Sequence, residues 1–359
     1  MIILYSVLIF LFLLFIILFS VYFIPEKIQS GKLLNKISIV VAAKNESNNI
    51  GNLIEALSNQ SYPENYFEVI LIDDNSSDDT YELAKKLSTG YPNFRVIRAN
   101  NEKYMGKRGA LQTGIENSTN PYILITDADC IPSKNWIEKL NVKFNEGFDF
   151  VFGLAPFSPE NNFTNKLARF ENLWTHILTF SFARMGFPYS AAARNLGFKK
   201  IAFEKIGGYA NTTDTLSGDD DLLLREAVKN KFKIGCVTDN EAAVYSSTPK
   251  NFKQYLHQKA RHTSTSHHYL FIHKLLLLLW HVINIVLLFG IFFINFNPLF
   301  LYGFLIKLSA DYILTYNKMR ILNYKFSLFE LLYLQVIYDL LIMVNFINSF
   351  FHGQNWKSE

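Results

Sequence analysis

Three short acidic stretches carry the residues whose types and spacing can do chemistry. They are Asp73-Asp74-Asn75-Ser76-Ser77-Asp78-Asp79-Thr80, Asp127-Ala128-Asp129 and Gly218-Asp219-Asp220-Asp221. Asp127 and Asp129 stand at alternate positions, so both can hold one divalent cation and leave water sites open. Hard oxygen ligands suit Mg2+ or Mn2+, which bridges the phosphates of a nucleotide and neutralises charge on a leaving diphosphate. Asp74 can accept a hydrogen bond from a base or ribose donor. Three adjacent carboxylates at Asp219, Asp220 and Asp221 raise one another's pKa, which suits one of them to act as general base toward an acceptor hydroxyl. Each stretch also has a plain structural reading. The first fits a turn with a helix N-cap at Ser77 or Asp78, the second a turn after a strand, and the third a helix N-terminus whose dipole favours Asp. Gly106-Lys107-Arg108-Gly109 opens a helical stretch, where backbone N–H groups and Lys107 can approach an anion, although the Walker A spacing is absent. Gln258-Lys259-Ala260-Arg261-His262 is basic and amphipathic and comes shortly before an apolar run. Arg261 can clamp a diphosphate there, or the segment can rest on anionic lipid.

These residues need elements to hold them. Apolar, β-rich runs at 37–42, 68–72, 94–97, 122–126 and 149–153 alternate with helical patterns near 48–59, 79–88, 107–117 and 134–145. Continuous apolar strands joined by crossover helices predict a parallel sheet covered on both faces. Ligands in such sheets bind at the carboxyl ends of the strands. Ala42-Ala43-Lys44-Asn45-Glu46, the Asp73–Thr80 stretch and Asp127–Asp129 all fall at such ends. The aromatic, amphipathic segment 163–187 reads either as an interfacial helix framing acceptor entry or as a core helix.

Composition sets the rest. Of 359 residues, 50% are hydrophobic and only 18% charged, against about 25% in soluble domains. The deficit is local: neither 1–24 nor 275–306 contains Asp, Glu, Lys or Arg. About 20 apolar residues cross a bilayer as a helix, which excludes an ordinary soluble protein and, with so many burial-competent residues, a disordered one. Residues 1–24 read as a retained anchor, since a basic n-region and a small-residue cleavage site are absent. Three further spans are predicted at about 275–294, 298–316 and 328–351, leaving 273–359 as a membrane region and 25–272 as a catalytic domain large enough for its own core. Lys27, Lys32 and Lys36 after the anchor, and Lys318, Arg320 and Lys325 between the last two spans, place that domain on the cytoplasmic side and the C-terminal tail outside. Lys307 and Asp311, four residues apart inside a span, can pair on one helix face, and Asp339 lies in the next span; they form either a lipid or sugar pathway or an interhelical polar contact. The net charge of +4 is too mild to call for nucleic acid, and Cys130 and Cys236, with neither a CxxC nor a His/Cys cluster, offer no disulfide framework or zinc site.

In order, the motifs resemble a membrane-bound family 2 glycosyltransferase of the inverting, GT-A type, over about 36–262. Ile39–Glu46 resembles that family's first strand and nucleotide loop, Asp73–Thr80 its second-strand motif, Gly106–Leu111 its lysine loop and Asp127–Asp129 its metal motif. Arg194-Asn195-Leu196-Gly197-Phe198 and Phe203–Tyr209 resemble the segment before the base, and Gly218-Asp219-Asp220 the base motif. The resemblance implies a Rossmann-like, mostly parallel sheet and a nucleotide-sugar donor, usually a UDP-sugar. It places Ala42, Glu46, Asp74, Lys107 and Asp127 at the donor, Asp129 with Asp127 at the metal, and Asp220 as general base, with Asp219 as the alternative register. Gln258, Arg261 and His262 would face the diphosphate and the acceptor. Here the chain departs from the family, which carries Trp where His262 stands; His262 could stack on a sugar instead. Three C-terminal spans are few for a polysaccharide channel. The expectation is therefore transfer of one or a few sugars to a lipid or lipid-linked saccharide in the bacterial inner membrane, with membrane lipids as partners and an oligomer compatible. A processive polysaccharide synthase is the runner-up; a nucleotidyl- or phosphoryltransferase and a catalytically dead membrane scaffold are the rivals of other classes.

Overall fold

A strand buried on both faces needs a nearly continuous apolar run, and Ile37–Ala43 (β1) supplies one broken only by Ser38, with all seven residues buried. The computed structural model describes residues 1–29, 33–100, 104, 106–215 and 217–351. Lys32, one of the basic residues behind the predicted orientation, and the tail 352–359 lie outside the described residues. The described chain forms two compact units. One contains Glu26–Ser158 and Ser190–Ser247; the other contains Met1–Pro25, Pro159–Tyr189 and the chain from Thr248 on.

In the first unit β1 pairs in parallel with Phe67–Asp73 (β2) and Tyr122–Asp127 (β4), and β2 pairs in parallel with Phe94–Arg98 (β3). The register sets Ala42 opposite both Ile72 and Asp127, and Ala43 opposite Asp73, so the polar carboxyl ends finish level. Ile50–Ser58 (α2), Thr80–Ser88 (α3) and Lys107–Glu116 (α4) are the helices of these crossovers, and Trp136–Asn145 (α5) comes after β4. Close approach of α4 to the sheet requires Gly114, where a Cβ would come within 2.4 Å of Val40 Cγ1 and 2.5 Å of Ile72 Cδ1.

Phe150–Gly153 (β6), Leu196–Lys199 (β7) and Ile234–Val237 (β8) complete the sheet in the order β3-β2-β1-β4-β7-β6-β8. The expected mostly parallel sheet is what forms, with β7 as its exception, running antiparallel to both β4 and β6. Its four residues, Leu-Gly-Phe-Lys, carry too short an apolar run to be read as a strand. The same brevity hid β8 and the two-stranded pair of Cys130–Pro132 (β5) and Val244–Ser246 (β9). Lys200–Lys205 (α7) follows β7, and Asp221–Lys229 (α8) precedes β8.

Four helices of the second unit are long and apolar enough to cross a membrane, among the described residues: Ile2–Tyr22 (α1), Phe271–Phe293 (helix α10, Phe271–Phe289, with the turn after it), Leu299–Ile321 (α11) and Leu328–Asn348 (α12). The third runs five residues past the predicted 316, because Lys318 and Arg320 belong to its last turn rather than to a loop. Basic side chains suit a helix C-terminus, and Lys318 Nζ donates to the carbonyls of Ser20 and Phe23, both at 3.1 Å, at the end of α1. The aromatic segment forms Phe163–Arg184 (α6), and it is a core helix of this unit. Trp174 is buried, stacks on Tyr338 with centroids 5.9 Å apart, and donates through Nε1 to Gln335 Oε1 at 2.9 Å. Lys307 pairs with Asp311 at 2.5 Å and with Asp339 at 2.7 Å, all three buried, which makes these residues an interhelical contact between α11 and α12.

Candidate active site

The loops after β1 and β2 are laced to each other. The Asn45 N–H donates to Ser76 Oγ at 3.0 Å, and the Ser77 N–H donates back to Asn45 Oδ1 at 2.8 Å. The Glu46 N–H donates to Thr80 Oγ1 at 2.7 Å, and the Ser47 N–H to Asp78 Oδ2 at 3.2 Å. Asn45 and Asn75 take the left-handed backbone these tight turns demand, which Asn tolerates better than most residues. The second acidic stretch thus divides its work. Asp78 is structural and accepts the Thr80 N–H at 3.0 Å, although the N-cap position of α3 is Asp79, not Ser77 or Asp78 as the sequence suggested. Asp74 is the residue left over. It is buried, and its Oδ2 has no hydrogen-bond partner among the described residues. Burial raises its pKa, opposed by the Lys44 charge and reinforced by that of Asp73. A buried acceptor without a donor invites a ligand N–H or O–H.

Asp127 ends β4 opposite Ala42 of β1, and Asp129 follows within range of the Glu46 charge on the first loop. The carboxylates of Asp127 and Asp129 and the Cys130 thiol lie within 4.8 Å of one another. Desolvation, with the charges of Asp127 and Glu46, raises the Asp129 pKa, although its outer edge reaches solvent. Two carboxylates that repel each other at this range, open on one side, fit a divalent cation with hard-oxygen preference. The thiol is a lesser partner: burial, with the adjacent carboxylates, pushes its pKa well up and keeps it protonated.

The α4 loop joins the metal motif to the third acidic stretch. Gly106, with φ of 64°, turns the chain into α4 and points Lys107 inward. Lys107 Nζ lies 2.7 Å from Asp127 Oδ1 and 3.2 Å from Asp219 Oδ2, so one ammonium touches both motifs. Burial alone would raise the Asp219 pKa, but the Lys107 and Arg108 charges overcome it and hold this carboxylate low. Asp220 behaves oppositely. Burial, then the charges of Asp221 and Asp219, push it up to about 8. Its carboxylate caps α8, accepting the Asp221 N–H at 2.8 Å, and takes the Ala193 N–H at 2.8 Å. The helix-terminus reading and the acid–base reading therefore fall on the same residue.

The sequence motifs include two arginines, Arg108 and Arg194, without giving either a role of its own. Arg108 is buried and donates to the carbonyls of Thr215 and Ser217 at 2.5 and 2.7 Å, tying the loop that delivers Asp219. Its only signal was its place beside Lys107. Arg194 lies over the Phe157 ring, 4.9 Å from its centroid, bonds the Ala155 carbonyl, and its charge bears on Asp129. Next to it, buried Asn195 holds Leu154 O, Ala242 O and Trp136 Nε1, which explains the polar residue before β7. Gln258, Arg261 and His262 belong to the other unit, on Phe252–Thr265 (α9). Their spacing puts them on one helix face; Gln258 and Arg261 are half-buried and His262 exposed. A neighbouring face of α9 is fastened to α6, where Lys259 pairs with Glu171 at 3.0 Å and Tyr255 bonds the same carboxylate.

Comparison with known proteins gives the family and the fold. The model of the family described as glycosyl transferase family 2 matches residues 38–205, and that of glycosyl transferase family group 2 matches 122–345, more than half of the chain. Glycosyltransferase AglE of Haloferax volcanii is 28% identical over 185 residues, 51% of this chain and 58% of that protein. A beta-monoglucosyldiacylglycerol synthase of Trichormus variabilis is 40% identical over 93 residues, 26% of this chain and 20% of that protein. The chain thus spans little more than half the length of the first relative and a fifth of the second. Among solved structures, the mannosyltransferase PcManGT of Pyrobaculum calidifontis, in complex with GDP-Man and Mn2+, superposes with a TM-score of 0.58 at 17% identity, covering 97% of this chain and 96% of that one. That likeness establishes the GT-A fold. With the ordered carboxylate motifs and the family matches, it leads to one assignment: the chain belongs to the family 2 glycosyltransferases.

Proposed function

We propose that the protein transfers a sugar from a nucleotide-sugar donor, a UDP-sugar by its family resemblance, to a lipid or lipid-linked saccharide at the cytoplasmic face of a bacterial inner membrane, with inversion at the anomeric carbon. The observation that carries this reading is the Lys107 ammonium in contact with both Asp127 and Asp219, because it puts a cation-binding carboxylate and a candidate base beside one point. Four membrane-length helices and a relative named for a glucosyldiacylglycerol product support a lipid acceptor.

Asp127 and Asp129 would hold Mg2+ or Mn2+, and a bound divalent cation neutralises the charge developing on the departing diphosphate. Asp74 accepts a hydrogen bond from the base or ribose. Asp220, pushed up to about 8, takes the proton of the acceptor hydroxyl. That oxygen attacks the anomeric carbon from the side opposite the diphosphate, whose bond to the sugar breaks with its electron pair. A group titrating near the working pH is a good general base. Asp219 is the second reading, favoured by its contact with Lys107; in that case Lys107 must withdraw before Asp219 can accept a proton. By family resemblance, Gln258, Arg261 and His262, which share one face of α9, would serve the diphosphate or the acceptor. The test is transfer of label from radiolabelled UDP- and GDP-sugars to lipid by the full chain in membranes. Label in the organic extract supports the proposal. Label only in an insoluble polymer makes the protein a processive synthase, and label in neither, with every donor and a bacterial lipid extract present, refutes transfer.

A further inference from the structure

Lys107 makes two ion pairs that join the cation motif to the third acidic stretch. Its ammonium sits 2.7 Å from Asp127 and 3.2 Å from Asp219, and its side chain is 17% exposed. Asp127 is half of the carboxylate pair suited to a divalent cation, and a cation ligated through Asp127 repels an ammonium at that distance. Lysine is suited to such a contact: a point charge on a flexible stem can move between partners, where a planar arginine fork is held in place. The neighbouring Arg108 illustrates the contrast, being locked onto the Thr215 and Ser217 carbonyls.

We infer that Lys107 is an internal counter-ion that holds the donor-free site closed. With no donor present it neutralises Asp127 and masks Asp219. When a divalent cation and a nucleoside diphosphate enter, Lys107 leaves Asp127 for the phosphate oxygens and uncovers Asp219. The device gives an order to events. The acidic motif beside the acceptor is exposed only after donor phosphate has arrived, which keeps its carboxylates paired between turnovers. This inference rests on the glycosyltransfer reading and adds the coupling between its two halves.

The two ideas separate in one experiment on the full chain in lipid nanodiscs. Mn2+ alone is titrated first, with free Mn2+ followed by electron paramagnetic resonance; UDP and GDP are then titrated at saturating Mn2+ by calorimetry. Lys107→Met removes the competing charge at similar length. It is expected to bind Mn2+ alone about tenfold more tightly than wild type and to bind nucleoside diphosphate about tenfold more weakly. Lys107→Arg keeps the charge and is expected to stay within about twofold of wild type for Mn2+. Should Lys107→Met not fold, as judged by its melting curve, Lys107→Gln carries the same test. A lysine that only stabilises the fold would weaken both ligands on removal, and one that only binds phosphate would leave the Mn2+ titration unchanged; either result overturns the inference. If wild type binds neither UDP nor GDP with Mn2+, the glycosyltransfer reading fails, while the Mn2+ titrations still decide the role of Lys107.

Discussion

Arg108 ties down the loop that delivers Asp219. Arg108 is 5% exposed and donates to the carbonyls of Thr215 and Ser217 at 2.5 and 2.7 Å. Hydrogen bonds from a charged donor contribute about 1.5–3 kcal/mol each, and their loss leaves the buried carbonyls unsatisfied. Arg108→Met, which keeps the length and the apolar stem, therefore removes at least about 3 kcal/mol from the anchored loop. At about 1.4 kcal/mol per factor of ten, that is about a hundredfold in the population holding Asp219 and Asp220 in place. Asp74 stands at the end of β2, apart from this loop, so donor affinity should change by less than about threefold. Steady-state release of nucleoside diphosphate gives kcat, and calorimetry with UDP or GDP gives affinity. The expected result is a fall in kcat of about a hundredfold with affinity nearly intact. A kcat within threefold of wild type would refute the claim that Arg108 positions the base.

Two further outcomes follow from named groups. If Asp220 is the base, kcat/KM rises with pH through about 8, since only the ionised carboxylate accepts a proton; Asp220→Asn should lose transfer by more than a hundredfold while still binding nucleotide, and normal transfer by it together with a dead Asp219→Asn assigns the base to Asp219. In the membrane unit, Lys307→Met leaves the carboxylates of Asp311 and Asp339 buried without a counter-charge, an imbalance worth about 3–5 kcal/mol; thermal unfolding in detergent should show a clear drop in Tm, largely restored by adding Asp311→Asn and Asp339→Asn, and an unchanged Tm would contradict a structural role for the triad.

The part of the fold that sequence displays is the part made of long, periodic elements. β1, β2 and β4 are mostly apolar runs, and helical patterns lie between them, so the carboxyl ends where the candidate site lies were legible. Asp74, Asp127, Asp129 and the Asp219–Asp221 stretch stand out because carboxylates recur in order at the carboxyl ends of the strands and crowd together at the start of α8. What stayed hidden depends on tertiary partners. β7 runs antiparallel because it returns to the sheet after α6, and four residues do not record their direction. Arg108 and Arg194 read as ordinary basic residues, since their value lies in carbonyls and rings more than a hundred and about forty positions away. Residues 163–187 read equally as interface or core helix, because amphipathicity does not say which apolar surface is met; Trp174 against Tyr338 and Gln335 decides for the core.

The central claim is that Asp127 and Asp129 hold a divalent cation at which a nucleotide-sugar is cleaved. The most direct measurement is nucleoside diphosphate release by the full chain in lipid, across a panel of UDP- and GDP-sugars with Mg2+ or Mn2+, compared with EDTA and with Asp129→Ala. The account predicts release with a particular donor, abolished by EDTA and reduced at least about a thousandfold by Asp129→Ala. Release at the wild-type rate in EDTA, or from Asp129→Ala, would contradict it.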